Sequence, residues 1–323
     1  MALTDEGIIA APGIMSRWVR LASGARAHYV TSGDTGPAVI LCHGGLPGSS
    51  GMAGWRFQLP FLGAHGFRVY APDFPGYGHA DTDPEHRPVH GYHSHTEFLR
   101  MFMDALCIDQ AHLAGNSMGS SVSWRFAISH PERVKNFVLI AGNIPGIVPL
   151  DQVVRTMSVR GLNRETFDGT PASMRKMMDP IIEDKSVITD DLLEMRTQAA
   201  IRQRESLAAY HAAADRFDED PALQQRYVAL GRLDRLGIPH ILLWGADDVL
   251  NPVSNAYLQE DLTPWIQYFY PEKCGHQGQT DQPDVFNQVF LDFFRTNRVS
   301  RKAADAAGVS KRRPELAHYV EAG

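Results

Sequence analysis

A serine at position 117 stands between two glycines in the run Gly115-Asn116-Ser117-Met118-Gly119. The pattern G-x-S-x-G is that of a nucleophile elbow, a sharp turn from strand to helix that lifts a serine oxygen clear of the top of a sheet. Side chains at 115 and 119 would collide with the adjoining strand and helix, and Ser117 itself is expected on a strained turn. A serine hydroxyl is a poor nucleophile alone. It needs a base to take its proton and a carboxylate to orient that base. Behind an elbow of this kind the acid comes next along the chain, and the histidine last. Here Trp244-Gly245-Ala246-Asp247-Asp248 and then Cys274-Gly275-His276 follow Ser117. His276 is therefore the expected base, with Asp248 and Asp247 as competing acids.

Attack on a carbonyl creates an oxyanion that needs two N–H donors. The backbone of Met118, directly after the nucleophile, supplies one. The loop HGGLPGSSG, His43 to Gly51, follows an early apolar run, and Gly45 is the expected second donor, with Gly44 beside it on the substrate side. The turn DFPGYGHAD from Asp73 is rich in glycine but lacks the lysine and spacing of a phosphate loop, so it reads as structural. His86, His90, His93 and His95 form a cluster without a recognisable ligand motif and read as a solvated loop. No metal and no organic cofactor is expected.

These residues need a scaffold. From about residue 25 to 145, apolar runs such as AVILC and KNFVLI alternate with helical patterns, and the same grammar returns after about residue 238 with HILLWGADD. That alternation indicates an α/β protein with a mostly parallel sheet covered on both faces. Residues 146–230 are rich in Arg, Glu, Gln, Met and Ala at helical spacing, and read as a helical cap inserted above the carboxyl ends of the strands. The expected organisation is a core of 1–145 and 231–297, a cap of 146–230, and a frayed or partly helical tail of 298–323, with an oligomer contact as the tail's other reading. In the cap, Met174, Met177, Met178, Ile181, Ile182 and Leu192 either line an aromatic-sized pocket or form the cap's own core.

The 323 residues carry a net charge of -6, which favours neither nucleic acid nor an anionic membrane as partner. The beginning of the chain lacks a basic leader, and no apolar stretch is long enough to span a bilayer. Cys42, Cys107 and Cys274 lack metal-ligand spacing and read as reduced, buried thiols of a cytoplasmic protein. The expected partner is a small-molecule carbonyl substrate, and a homo-oligomer is compatible with the sequence.

Taken in order, HGGLPG, DFPGYGHAD, GNSMG, WGADD and CGH resemble the α/β-hydrolase superfamily over residues 25–297. The closer resemblance is to the meta-cleavage-product hydrolases, which cut carbon–carbon bonds in ring-opened aromatic and steroid metabolites. It rests on Asn116 before the serine, on DKSVITDDLLEMR leading to Arg196, and on the stretch CGHQGQTDQPDVFNQVFLDFF. The resemblance places the acid three residues past Gly245, at Asp248. It implies that Arg196 binds the oxygen-rich end of the substrate and that Asn116 helps orient it. Two positions depart from the family pattern: Gln277 stands where tryptophan usually follows the histidine, and Ala53 stands where asparagine usually lies. Both family residues contact the dienol and carboxylate end, so Gln277 is counted with the substrate-binding residues. An esterase or lactonase of the same fold is the alternative activity. A ligand-binding receptor on this scaffold is the non-enzymatic one, and retention of His276 argues against it.

Overall fold

The computed structural model describes residues 2–144, 146–149, 151–154, 167–229, 231–313 and 319–321. Cap residues 155–166 and tail residues 314–318 lie outside the described residues. Eight strands form one sheet: β1 (Met15–Arg20), β2 (Arg26–Ser32), β3 (Ala38–Cys42), β4 (Arg68–Pro72), β5 (Ala111–Asn116), β6 (Val134–Ile140), β7 (His240–Leu243) and β8 (Gln267–Phe269). Their order is β1-β2-β4-β3-β5-β6-β7-β8. The two pairings of β2 are antiparallel and all the others are parallel. The reason is visible in the sequence. AVILC of β3 and AHLAGN of β5 are buried along their whole length, as strands covered on both faces must be.

The covering helices are α1 (Gly51–Trp55), α2 (Gln58–Ala64), α3 (Tyr92–Ala105), α4 (Met118–Ser129), α9 (Val253–Leu262), α10 (Gly278–Asp281), α11 (Pro283–Thr296) and α12 (Arg301–Ala306). Between β6 and β7, the described part of the cap holds α5 (Pro171–Met178), α6 (Asp190–Arg202), α7 (Arg204–Glu219) and α8 (Pro221–Arg226). Thr170 and Thr189 cap the first two of these by accepting a backbone N–H into the first turn. Met174, Met177, Met178, Ile181, Ile182 and Leu192 are fully buried and pack in one hydrophobic cluster with the core, so they are packing residues. Among the described residues, no helix is long and apolar enough to cross a membrane.

Four details differ from the sequence reading. The sheet begins earlier, because β1 is an exposed edge strand whose MSRWVR has too few buried positions to announce itself. The chain after 297 is docked rather than frayed: Ala303, Ala304 and Ala307 are buried in the core cluster, and small side chains let α12 sit close. Beyond it, Val309 bridges Phe269, with hydrogen bonds from Tyr270 N to Gly308 O and from Ser310 N to Tyr268 O, so this segment covers the free edge of β8. The histidine cluster is only partly a solvated loop. His93 and His95 belong to α3; His95 is buried against Pro75 O, and His93 meets the Tyr227 hydroxyl at 2.7 Å. Cys107, just past α3, is exposed, unlike Cys42 and Cys274.

Candidate active site

The expected chemistry gathers at the carboxyl ends of the parallel strands, where open α/β sheets bind ligands. Ser117 links β5 to α4 at φ 55° and ψ −113°, a conformation that L-residues with a side chain rarely adopt. The flanking glycines are dictated by contact. A Cβ on Gly115 would lie 2.2 Å from Gly119 O, and one on Gly119 would lie 2.0 Å from Cys42 O of β3. The strain has a measurable consequence. Ser117→Gly should be more stable than Ser117→Ala by about 1 kcal/mol, because relief of strain exceeds glycine's entropic cost. Denaturant unfolding of the two variants checks this, and equal stabilities would mean the elbow is unstrained.

Asp248 follows β7 and His276 follows β8. Their loops cross closely, since a Cβ on Gly245 would lie 2.2 Å from both Cys274 O and Gly275 O. His276 Nδ1 meets Asp248 Oδ2 at 2.7 Å, and both side chains are buried. The other carboxylate oxygen of Asp248 accepts the N–H groups of Leu250 and Asn251 at 2.9 and 2.8 Å. The aspartate is thus fixed by its own loop and turns one oxygen to the histidine. Asp247 is turned elsewhere: its N–H donates to Cys274 O, and its carboxylate accepts from Cys274 N at 3.4 Å. With Nδ1 donating to a carboxylate, His276 Nε2 carries the lone pair. It is buried and has no hydrogen-bond partner among the described residues.

The loop after β3 is held by its carbonyl groups. His43 Nδ1 lies 2.7 Å from Gly44 O, and the Tyr77 hydroxyl donates to Gly45 O at 3.0 Å. The second His43 nitrogen accepts from Phe74 N, and burial pushes its pKa down to about 4, so it is a neutral strut. Fixing these carbonyls fixes the peptide planes that aim the neighbouring N–H groups. Among the described residues, neither Gly45 N nor Met118 N donates to a protein acceptor. A Cβ on Gly44 would lie 3.7 Å from Ser117 Cβ, and one on Gly45 would lie 3.0 Å from Met118 Cβ, so both glycines stand against the elbow.

Arg196 of α6 is buried and reaches the same loop. Its Nη2 donates to Pro47 O at 3.0 Å and to Ser49 Oγ at 3.5 Å, while its Nε has no partner among the described residues. Gly48 fits beneath the helix because a Cβ there would lie 2.1 Å from Arg196 O. A second buried guanidinium, Arg56, donates to Ala53 O at 3.0 Å and to Val187 O of the cap at 2.9 Å. Burial lowers both pKa values to about 10, and for Arg196 the charge of Arg56 adds to the effect. Neither arginine pairs with a carboxylate among the described residues. Asn116 donates from Nδ2 to His276 O at 2.9 Å, so its amide nitrogen is used to hold the histidine's backbone. Gln277 is buried at the start of α10.

Another cluster joins His28 of β2 to Asp73 and His79 of the turn that the sequence marks as structural. Asp73 accepts from His28 Nδ1, His79 N and Gly51 N, each at 2.7 Å. Burial disfavours its charge, but His28 and these donors hold its pKa at about 2. It ties β2, α1 and the glycine turn together. His43, Tyr77 and Arg56 had no role in the sequence reading. Tyr77 carried a signal in lying within that turn; Arg56 carried none, because an arginine beside Trp55 reads as a surface charge.

The chain belongs to the α/β-hydrolase fold family, whose model matches residues 37–283, and it is an enzyme of the hydrolase class. Its relatives include meta-cleavage-product hydrolases. A 2-hydroxy-6-oxo-6-phenylhexa-2,4-dienoate hydrolase of Burkholderia cepacia is 30% identical over 280 residues, covering 84% of this chain and 92% of its own length. A 2-hydroxy-6-oxononadienedioate/2-hydroxy-6-oxononatrienedioate hydrolase of Paraburkholderia phymatum is 29% identical, covering 86% and 95%. Among solved structures, a meta-cleavage product hydrolase from Pseudomonas fluorescens superposes with a TM-score of 0.70 at 26% identity, covering 87% of this chain and 98% of that one.

Proposed function

We propose that this enzyme hydrolyses a carbon–carbon bond of a ring-opened aromatic metabolite, a vinylogous 1,5-diketone bearing a carboxylate. The observation that carries the reading is the pair of buried guanidinium groups, Arg196 against the loop after β3 and Arg56 between α1 and Val187, uncompensated by any carboxylate of the described residues. Burying one such charge unpaired is costly, so an anionic ligand is the natural counter-ion.

In the proposed mechanism His276 first assists tautomerisation of the dienol to the ketone. Ser117 then attacks the side-chain carbonyl as His276 Nε2 takes its proton, with Asp248 holding the imidazole and stabilising its charge. The N–H groups of Gly45 and Met118 receive the oxyanion. Collapse breaks the carbon–carbon bond, the electron pair leaves on the dienol fragment, and His276 returns the proton to it. Water, activated by the same histidine, releases the acyl group from Ser117.

Gln277 and Ala53 favour a second reading, an esterase or lactonase, because the family's usual contacts to the dienol end are changed there. A paired assay separates the two. Loss of the visible absorbance of a ring-fission dienol is followed beside chromophore release from neutral esters and lactones. Efficient dienol turnover is the expected result, and ester cleavage without it would replace the proposal by the second reading. Arg196→Met sharpens the assay. It should raise KM for the carboxylate-bearing dienol by about 10- to 100-fold, the worth of a hydrogen bond to a charged group, and leave neutral esters unaffected. Equal effects on both substrates would mean that Arg196 does not meet the carboxylate.

A further inference from the structure

Asp281, at the end of α10, is buried and accepts backbone N–H groups from two segments far apart in the chain. One carboxylate oxygen takes the N–H of Glu183 at 2.7 Å and of Asp184 at 3.1 Å, both in the cap. The other takes the N–H of Gly275 at 2.6 Å, one residue before His276. Beside this clasp, His276 N–H donates to Ile181 O at 2.9 Å. Asn116 Nδ2 holds His276 O at 2.9 Å from the other side. The peptide groups on both sides of His276 are therefore held, and two of the three holding contacts run to the cap turn 181–184 or to the residue that binds it. The fit leaves no slack. A Cβ on Gly275 would lie 2.7 Å from Ile181 O and 3.2 Å from Asp281 Oδ2, so the loop cannot shift without the turn.

The chemistry of the acceptor matters too. Only a carboxylate offers two equivalent oxygens to donors arriving from both sides; an amide would turn its NH2 group towards an N–H. Burial raises the pKa of Asp281, the three N–H donors pull it back, and the neighbouring charge of Glu183 raises it further. A group that costly to bury makes no ion pair among the described residues; it holds backbone alone.

We propose that Asp281 is a positioning residue that makes the placement of His276 depend on the seating of the cap turn Ile181–Asp184. The inference rests on the reading of His276 as the base, and its test has one arm that needs no substrate. In proton NMR of the unliganded enzyme, the His276–Asp248 hydrogen bond of 2.7 Å should give a low-field Nδ1–H resonance. Asp281→Asn should shift or broaden that resonance and lower kcat on the dienol by about 10- to 100-fold, as expected for a misplaced base, with KM within about threefold. A core variant of similar stability loss, Val39→Ala in β3, should move neither. Asp184→Pro removes one cap donor without touching Asp281, and φ of −79° there suits proline. It should reproduce a weaker form of the Asp281→Asn effect, and it carries the test where Asp281→Asn does not fold. Wild-type kcat with an unmoved resonance in both variants, or the same losses in Val39→Ala, would overturn the proposal. Failure of Ser117 or His276 as catalytic groups would show instead in their own variants and leave the resonance test intact.

Discussion

Asp248→Asn is expected to lower kcat by about 10,000-fold, while Asp247→Asn falls within about tenfold of wild type. The two residues are neighbours in sequence with different jobs. Asp248 Oδ2 receives the Nδ1–H of His276, and its other oxygen receives the N–H groups of Leu250 and Asn251. An asparagine cannot serve both. If its NH2 faces His276, the ring must present a lone pair at Nδ1 and carry its proton at Nε2, which removes the base. If its NH2 faces the loop, it meets two N–H donors. Asp247 is bound chiefly through its backbone N–H to Cys274 O, which asparagine keeps. Steady-state kinetics of the two variants decide the matter: a larger loss at 247 would reverse the assignment. The stability of Asp248→Asn should fall as well, since buried donors lose an acceptor.

Much of this site was legible in the sequence because its residues obey local rules. Gly115 and Gly119 announce a strand-to-helix turn, and the crossing at Gly245 follows the same logic of close approach. Uniformly apolar runs such as AVILC, alternating with helical patterns, read as buried parallel strands. The remainder depends on contacts between distant segments. Nothing near Arg56 shows that Val187 of the cap will cover it, and nothing near Asp281 shows that Glu183 and Asp184 will reach it. The choice between Asp247 and Asp248 was of this kind and came only from resemblance. The docking of the partly helical tail was hidden for another reason: alanines spaced on one face of α12 add little to hydropathy yet allow tight docking. Nor did anything near Asn116 show that its amide nitrogen would donate to His276 O, 160 residues further along the chain.

The cap's cohesion with the core bears on how the enzyme would work. His276 N, Asp281 and Arg56 each bind a cap residue between 181 and 187, so the loop of His276, α1 and the cap share one set of contacts. The turn 181–187 is therefore a joint between the cap and the core.

The most direct measurement of the central claim is turnover of the same ring-fission dienol by wild type and by Ser117→Ala. The hydroxyl is removed while the elbow's backbone, the N–H groups of Gly45 and Met118 and the Arg196 contacts stay in place. The account predicts a loss of about 10,000-fold or more in kcat, with an unchanged circular dichroism spectrum and melting temperature. Turnover within about tenfold of wild type would contradict it, because the reaction would then proceed without the nucleophile on which every other assignment depends.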